Sequence, residues 1–143
     1  MESHLELSDN AFTKQFADCI LDPKLFNHEA HIRLAWIHIN EVGIEAAIKI
    51  IQKQIKKYVA DLGAQDKYNS TLTVAAIQTV YHFMLKSNPS TFNKFRENHP
   101  RLFNNFEDLI EAHYSIDIFN SPKAKTEYLL PDLLPYDIKL SSM

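Results

Sequence analysis

Apolar side chains recur along this chain at intervals of three and four residues, without the strict alternation of a half-buried strand. Such spacing places the apolar residues on one face of an α-helix. We therefore predict an all-α fold class, with six or seven helices in a single compact bundle. The bundle is predicted to be one domain over residues 1–143, because no linker rich in glycine or serine divides the sequence.

Helix boundaries follow from capping residues and from prolines. Ser8 and Asn27 precede apolar runs, and such residues are good N-caps because their side chains accept a hydrogen bond from a free backbone N–H. Pro23 follows the first run, and proline disfavours the helical conformation of the residue before it. The predicted helices cover approximately residues 9–20, 28–40, 44–58, 71–86, 90–98 and 105–113, with a short last helix that begins at 122.

The fourth predicted helix, over residues 71–86, is apolar on nearly all sides, which is typical of a helix in the centre of a bundle. Its polar side chains fall on one line that contains Thr71, Gln78 and His82. Because a polar side chain in such a helix needs a hydrogen-bond partner, we predict that this line faces a cavity, other polar side chains or solvent.

The C-terminal tail is predicted to be extended, because Pro131 and Pro135 do not fit inside a helix. Leu133 and Leu134 lie between the two prolines. Since burial of leucine side chains is favourable, we predict that these leucines pack the tail onto the body of the protein.

The composition excludes several classes of protein. The chain has 143 residues and a net charge of −3, which disfavours nucleic acid as a partner because phosphate binding needs a basic face. The single cysteine, Cys19, excludes a scaffold held by internal disulfides. No run approaches about 18 apolar residues, and the first residues lack the cationic start of a signal peptide. We predict a cytoplasmic protein without a membrane partner, and the question of a homo-oligomer stays open.

The most informative segment for function begins the second predicted helix. His28 and His31 lie three residues apart, so they share one side of the helix. They also lie in its first turn, where the positive end of the helix dipole favours neutral imidazole over imidazolium. Neutral imidazole is the form that binds a metal ion. The pair indicates a divalent metal or a polar ligand, and two histidines that only hydrogen-bond to loop carbonyls are the alternative.

A pocket for a small polar ligand is the function that the sequence favours. It would form where the histidines at the start of the second helix meet the polar residues at the start of the fourth, because ligand sites in helical bundles lie between facing helices. No catalytic residue is assigned. The predicted ligand-binding residues are His28, His31, Tyr68, Asn69, Thr71, Gln78 and His82.

Two alternative functions remain open. The first is a protein-interaction module without chemistry, whose surface would be an exposed aromatic patch of Phe92, Phe95, Phe103 and Phe106. Aromatic residues at such spacing also form cores, which is the competing interpretation of these four. The second is a metal-dependent enzyme whose site is partly lost here. Two familiar metal-binding patterns, the Glu-x-x-His motif and the zincin spacing, are both missing from the sequence. No cofactor is predicted apart from a divalent metal at the two histidines.

Three short motifs resemble those of a family of small, largely uncharacterised bacterial helical proteins. The family pattern begins with an aromatic residue, Ser or Thr, and His-x-x-His-Leu, which corresponds to residues 26–32 here. It continues with Tyr-His-Glu-Thr-Leu-Thr, which corresponds to residues 68–73. It closes with Tyr-Ser, Ser-x-x-Ala and Pro-Asp-Leu, which correspond to residues 114–115, 121–124 and 131–133. The resemblance implies a helical fold and no particular activity.

This chain departs from the family pattern at the second motif, where the pattern has a histidine and a glutamate. Asn69 and Ser70 occupy these positions. The resemblance implies that His28 and His31 thereby lose a third ligand and a carboxylate partner. Asn69 can still form hydrogen bonds and Ser70 can still cap a helix, which favours a binding pocket over catalysis.

Overall fold

The computed structural model describes residues 3–140. All regular structure in this range is helical, with eight α-helices and three short 3₁₀ helices. The predicted all-α fold class is therefore confirmed. The described chain divides into two compact units, one that ends at Tyr68 and one that begins at Asn69. The prediction of a single domain stays a prediction.

The first unit contains α1 (Asp9–Ala17), α2 (His28–Val42), α3 (Ile44–Asp61) and three 3₁₀ helices, His4–Glu6, Pro23–Leu25 and Gln65–Lys67. α2 packs against α3, and only Gly43 separates them. The φ of Gly43 is 83°, in the left-handed region that glycine adopts without strain. Asn27 caps α2 as predicted, because its Oδ1 accepts a hydrogen bond from the N–H of Ala30 at 2.9 Å.

α1 ends at Ala17, earlier than the predicted end near Ile20. Cys19 has a φ of 61°, and the N–H of Ile20 bonds to the carbonyl of Gln15, which is the geometry of a Schellman helix end. Glycine usually occupies the left-handed position, since other residues cost about 1 kcal/mol there. The spacing alone predicts Cys19 and Ile20 on the buried face, but Ile20 is exposed and Cys19 is half-buried.

An aromatic cluster holds the helices of the first unit together. The ring of Phe16 on α1 lies 4.5 Å from the ring of Phe26 and 4.6 Å from the ring of Tyr58 on α3, measured between centroids. The hydroxyl of Tyr58 donates a hydrogen bond to the carbonyl of Leu21 at 2.8 Å. The apolar face predicted for α3 therefore packs as expected, with Tyr58 satisfying its polar group at the edge of the core.

The second unit contains α4 (Ser70–Lys86), α5 (Phe92–Asn98), α6 (Arg101–Asn104), α7 (Phe106–Glu111) and α8 (Pro122–Thr126). α4 packs against both α7 and α8, which agrees with its apolar character on nearly all sides. α6 is an addition to the predicted elements. A core cluster of this unit consists of Ala75, Ile110, Tyr114, Ile118, Ala124 and Tyr136.

The N-cap of α4 is Asn69, whereas Ser70 is the cap predicted from the sequence. Oδ1 of Asn69 accepts a hydrogen bond from the N–H of Leu72 at 2.9 Å, and its Nδ2 donates one to the carbonyl of Ile118 at 2.8 Å. One side chain therefore fixes both the start of α4 and the loop that precedes α8.

The C-terminal segment, residues 127–140, has no helix or strand, and this agrees with the predicted extended tail. Leu133 and Leu134 do not pack it onto the body, contrary to the prediction. Leu133 and Leu134 are 57% and 53% exposed, whereas Tyr128 and Tyr136 are buried. Tyrosines, together with the hydrogen bonds described below, attach this segment to its unit.

Candidate functional site

His28 and His31 occupy the first turn of α2, as predicted, and both residues are exposed. The imidazole of His31 stacks on Phe26, with 3.9 Å between the ring centroids. Desolvation of the stacked ring lowers the pKa of His31, and the neighbouring His28 lowers it further. The two histidines thus lie side by side at the start of α2, and the ring of His31 is held against its aromatic neighbour.

The third histidine of α2 is buried. His38 is 8% exposed, and its Nε2 has no hydrogen-bond partner among the described residues. Burial lowers the pKa of His38, against a smaller opposing effect from Glu41. At neutral pH the folded protein therefore holds both His31 and His38 as uncharged imidazoles.

We expect the free energy of unfolding to fall as the pH is lowered from 7 to 5. A histidine of the unfolded chain takes up a proton near pH 6.5, whereas His31, with its pKa lowered to about 4, stays neutral in the folded state, and the lowered pKa of His38 makes that residue take up its proton at a lower pH than in the unfolded chain. The unfolded state binds more protons in this window, so acid favours it. Urea titrations at several pH values measure the slope. The slope should be shallower in a variant with His31→Gln and His38→Leu, and an equal slope in both proteins would contradict the expectation.

A buried charged network in the first unit was not predicted from the sequence. Arg33 on α2 is 5% exposed, and its guanidinium donates hydrogen bonds to the carbonyls of His4 and Leu7 at 2.7 and 2.8 Å. It also forms an ion pair with Asp9 at 2.9 Å. The network joins the 3₁₀ helix His4–Glu6 and the start of α1 to α2. Its signal in the sequence is a lone arginine between apolar residues on a buried helix.

The same network determines the tautomer of His4, which is fully buried. Nδ1 of His4 lies 3.3 Å from a guanidinium nitrogen of Arg33, which can only donate, so Nδ1 accepts. The proton therefore lies on Nε2, which donates to Oε1 of Glu29 at 2.9 Å. The imidazole of His4 and the guanidinium of Arg33 are buried, whereas Asp9 and Glu29 reach solvent at the edge of the network, and we interpret the network as one that stabilises the fold.

The polar line of α4 faces the C-terminal segment of its own unit. Thr71 is fully buried, and its hydroxyl donates to the carbonyl of Glu127 at 2.8 Å while accepting from the N–H of Leu129 at 3.0 Å. Gln78, also fully buried, donates from Nε2 to the carbonyl of Ile138 at 3.0 Å. These buried side chains therefore satisfy backbone groups of an extended segment, as polar groups in an interior must be satisfied.

His82, at the far end of the same line, is exposed and contacts the same segment. Its Nδ1 lies 2.9 Å from Oδ2 of Asp137. Because the side chains of His82 and Asp137 are 48% and 31% exposed, water screens this pair and its contribution to stability is small.

The turn after α7 holds the C-terminal segment from a second side. The hydroxyl of Tyr114 donates to the carbonyl of Leu129 at 2.8 Å. The backbone N–H of Ser115 donates to Oδ1 of Asp132 at 2.9 Å, and the hydroxyl of Ser115 donates to Oδ2. His113 donates from Nδ1 to the carbonyl of Leu134 at 2.8 Å. The segment is thus fastened by side chains along most of its length.

Three tyrosines lie inside this arrangement, Tyr114, Tyr128 and Tyr136. Burial raises the pKa of each hydroxyl, and Tyr128 and Tyr136 raise that of Tyr114 further. Their hydroxyls therefore stay protonated. The ring of Tyr136 also stacks on His113, with 3.8 Å between centroids.

The predicted ligand-binding residues belong to different units. His28, His31 and Tyr68 lie in the first, where Lys56 Nζ is 5.3 Å from the ring centroid of Tyr68. The other four, Asn69, Thr71, Gln78 and His82, lie in the second unit and all contact the loop before α8 or the C-terminal segment. That the two groups meet in one pocket stays a prediction.

The described residues do not supply a ligand set for a metal. Over residues 3–140, no three His, Cys, Asp or Glu side chains form a group that could hold a metal ion. His28 and His31 therefore have no third ligand in this range, and structural zinc sites have four.

The aromatic patch of the interaction hypothesis does not form. Phe92 and Phe95 are buried, and Phe103 and Phe106 are half-buried. Phe92 lies 6.3 Å from Phe103 between ring centroids, so these phenylalanines pack on one another. They form part of an interior, in agreement with the competing interpretation.

A different apolar surface is present on the second unit. We define the leucine surface as Ile116, Leu130, Leu133 and Leu134, which are 49–57% exposed. Leu133 donates its N–H to the carbonyl of His113 at 3.0 Å, so the two stretches that carry these residues lie side by side. The spacing of these residues has no helical or strand period, and the sequence therefore gives no signal for the surface.

Comparison with known proteins adds no relative. No family model, no curated protein and no solved structure matches the chain. The resemblance to small bacterial helical proteins stays a prediction. None of the helices within residues 3–140 combines the length and the apolar character that crossing a membrane requires.

Proposed function

We propose that this protein is a helical protein-interaction module that binds its partner through the leucine surface. The observation that carries the proposal is that four large aliphatic side chains are exposed on a stretch of chain whose backbone is fixed by hydrogen bonds. Single exposed leucines are ordinary, but a cluster of them is typical of interaction sites.

The attachment of the C-terminal segment supports binding because it orders the surface before a partner arrives. Thr71, Tyr114 and Ser115 bond to residues between 127 and 132, on either side of Leu130. A segment that is already ordered loses less conformational entropy when it binds. Hydrogen bonds to the C-terminal segment also occupy the hydroxyl of Thr71 and Nε2 of Gln78, which makes a small-ligand pocket along that helix the less favoured function.

A crosslinking experiment tests the proposal. A photoreactive amino acid is placed at Leu133 or, as a matched control, at Leu62 of the first unit, which is 47% exposed and lies outside the leucine surface. On irradiation of cells that produce the protein naturally, we expect a discrete adduct from position 133 and none from position 62. The adduct at position 133 should disappear when Leu134 is changed to serine.

Two outcomes would contradict the proposed function. One is the same set of adducts from both positions, which would indicate random collision. The other is an adduct at position 133 that persists when Leu130 and Leu134 are both serine.

A further inference from the structure

We infer that the partner at the leucine surface is a positively charged amphipathic helix, with apolar residues on one face and lysine or arginine beside them. The inference rests on the proposed function and specifies the chemistry of the partner. It follows from the charges around the surface and from the backbone groups that the C-terminal segment has already used.

The chain around the leucine surface is predominantly acidic. Residues 102–122 and 126–138 contain no lysine or arginine. They contain seven acidic residues, all exposed: Glu107, Asp108, Glu111, Asp117, Glu127, Asp132 and Asp137. Complementary charge at the rim of an apolar contact selects partners and speeds association, so this surface favours a basic partner.

Most of these carboxylates are available to a partner. Glu127 pairs with Lys123 at 3.8 Å and Asp137 contacts His82. The other five enter no ion pair with a described residue. The two lysines between the acidic stretches, Lys123 and Lys125, lie on α8. With Lys139, the stretch 102–140 carries three lysines against these seven carboxylates, which is a net charge of −4.

One carboxylate is fixed next to the leucines. Asp132 accepts hydrogen bonds from both the hydroxyl and the N–H of Ser115, and these bonds lower the pKa of its carboxyl. Asp132 precedes Leu133 in the chain, so a fixed negative charge and an exposed leucine are neighbours. A partner helix with a cationic side chain beside an apolar one could place the first against Asp132 and the second against Leu133.

The backbone of the segment favours a helix over an added strand. A partner strand would need free N–H and C=O groups along an edge. The N–H of Leu133 and the carbonyl of Leu134 already bond to His113, and Pro131 and Pro135 have no N–H. The edge that a partner strand would need is therefore interrupted at four positions, which favours an amphipathic helix, because such a helix binds through side chains.

Two synthetic peptides test the inference. Both are amphipathic helices with leucines at the same positions, and their polar faces carry lysine in one and glutamate in the other. Fluorescence anisotropy with the full chain should show the lysine peptide binding at least about tenfold more tightly. The variant Leu133→Ser with Leu134→Ser should weaken its binding by about tenfold or more, while Leu62→Ser leaves it unchanged.

The charge is tested separately. The variant Glu107→Gln with Glu111→Gln removes two exposed carboxylates of α7 and keeps the size of both side chains. It should weaken binding of the lysine peptide and reduce its dependence on salt. Circular dichroism confirms that each variant is folded.

Equal affinity for the two peptides, or tighter binding of the glutamate peptide, would overturn the inference and leave the crosslinking result to decide the proposed function. An effect of Leu62→Ser as large as that of the double leucine variant would also overturn it. The inference would also be overturned if light scattering shows a dimer that dissociates in the variant Leu133→Ser with Leu134→Ser, because the occupant of the surface would then be a second copy of this chain.

Discussion

Replacing Arg33 with alanine is expected to lower the free energy of unfolding by about 3 kcal/mol. The side chain is buried, and its loss leaves the carbonyls of His4 and Leu7 without their donor, while the half-exposed carboxylate of Asp9 keeps access to water. Unpaired polar groups in an interior each cost about 1–3 kcal/mol, because folding removes them from water. Urea denaturation of the purified variant measures the change.

Two companion variants sharpen this result. Lysine keeps the charge but lacks the planar, forked guanidinium that donates to several acceptors at once. Arg33→Lys should therefore lower the free energy of unfolding, by less than Arg33→Ala does. Arg101→Ala removes an exposed arginine and should change the free energy of unfolding by no more than about 0.5 kcal/mol. If Arg33→Ala costs no more than Arg101→Ala, the network does not hold the N-terminal elements to α2.

The helices of this protein are largely predictable because their apolar spacing and caps act locally. Asn27 and Ser8 cap the helices assigned to them, and the buried face of α3 follows from its period. The errors occur where a non-local or unusual conformation decides the outcome. Cys19 in a left-handed conformation ends α1 early, and no pattern in the sequence predicts a cysteine there.

The candidate site is harder to predict than the helices, because it depends on where an irregular segment lies. The line of Thr71, Gln78 and His82 is visible in the sequence, and the requirement for polar partners follows from it. The identity of those partners does not follow, since the C-terminal segment meets α4 about 60 residues later in the chain. Leu133 and Leu134 look like anchors, yet Tyr128 and Tyr136 do the anchoring.

Replacing Thr71 with valine is expected to lower the free energy of unfolding by about 2 kcal/mol. Valine has nearly the shape of threonine, so packing is retained while the hydroxyl is lost. The carbonyl of Glu127 then loses its donor and the N–H of Leu129 loses its acceptor, both inside the second unit. Thr73→Val is the matched control, because the hydroxyl of Thr73 bonds only to a carbonyl of its own helix turn and its loss should cost less.

Thr71→Val also tests whether the leucine surface must be ordered in order to bind, because the variant changes no residue that contacts the partner. Thr71 is fully buried and cannot touch a bound peptide, yet it holds the chain on both sides of Tyr128, just before Leu130. We expect faster hydrogen exchange at the amide of Leu129 and weaker binding of the lysine peptide, because binding must then order the segment. Unchanged exchange at Leu129 would show that Tyr114 and Ser115 fasten the segment without Thr71. Faster exchange with unchanged affinity would show that the leucine surface needs no prior order to bind.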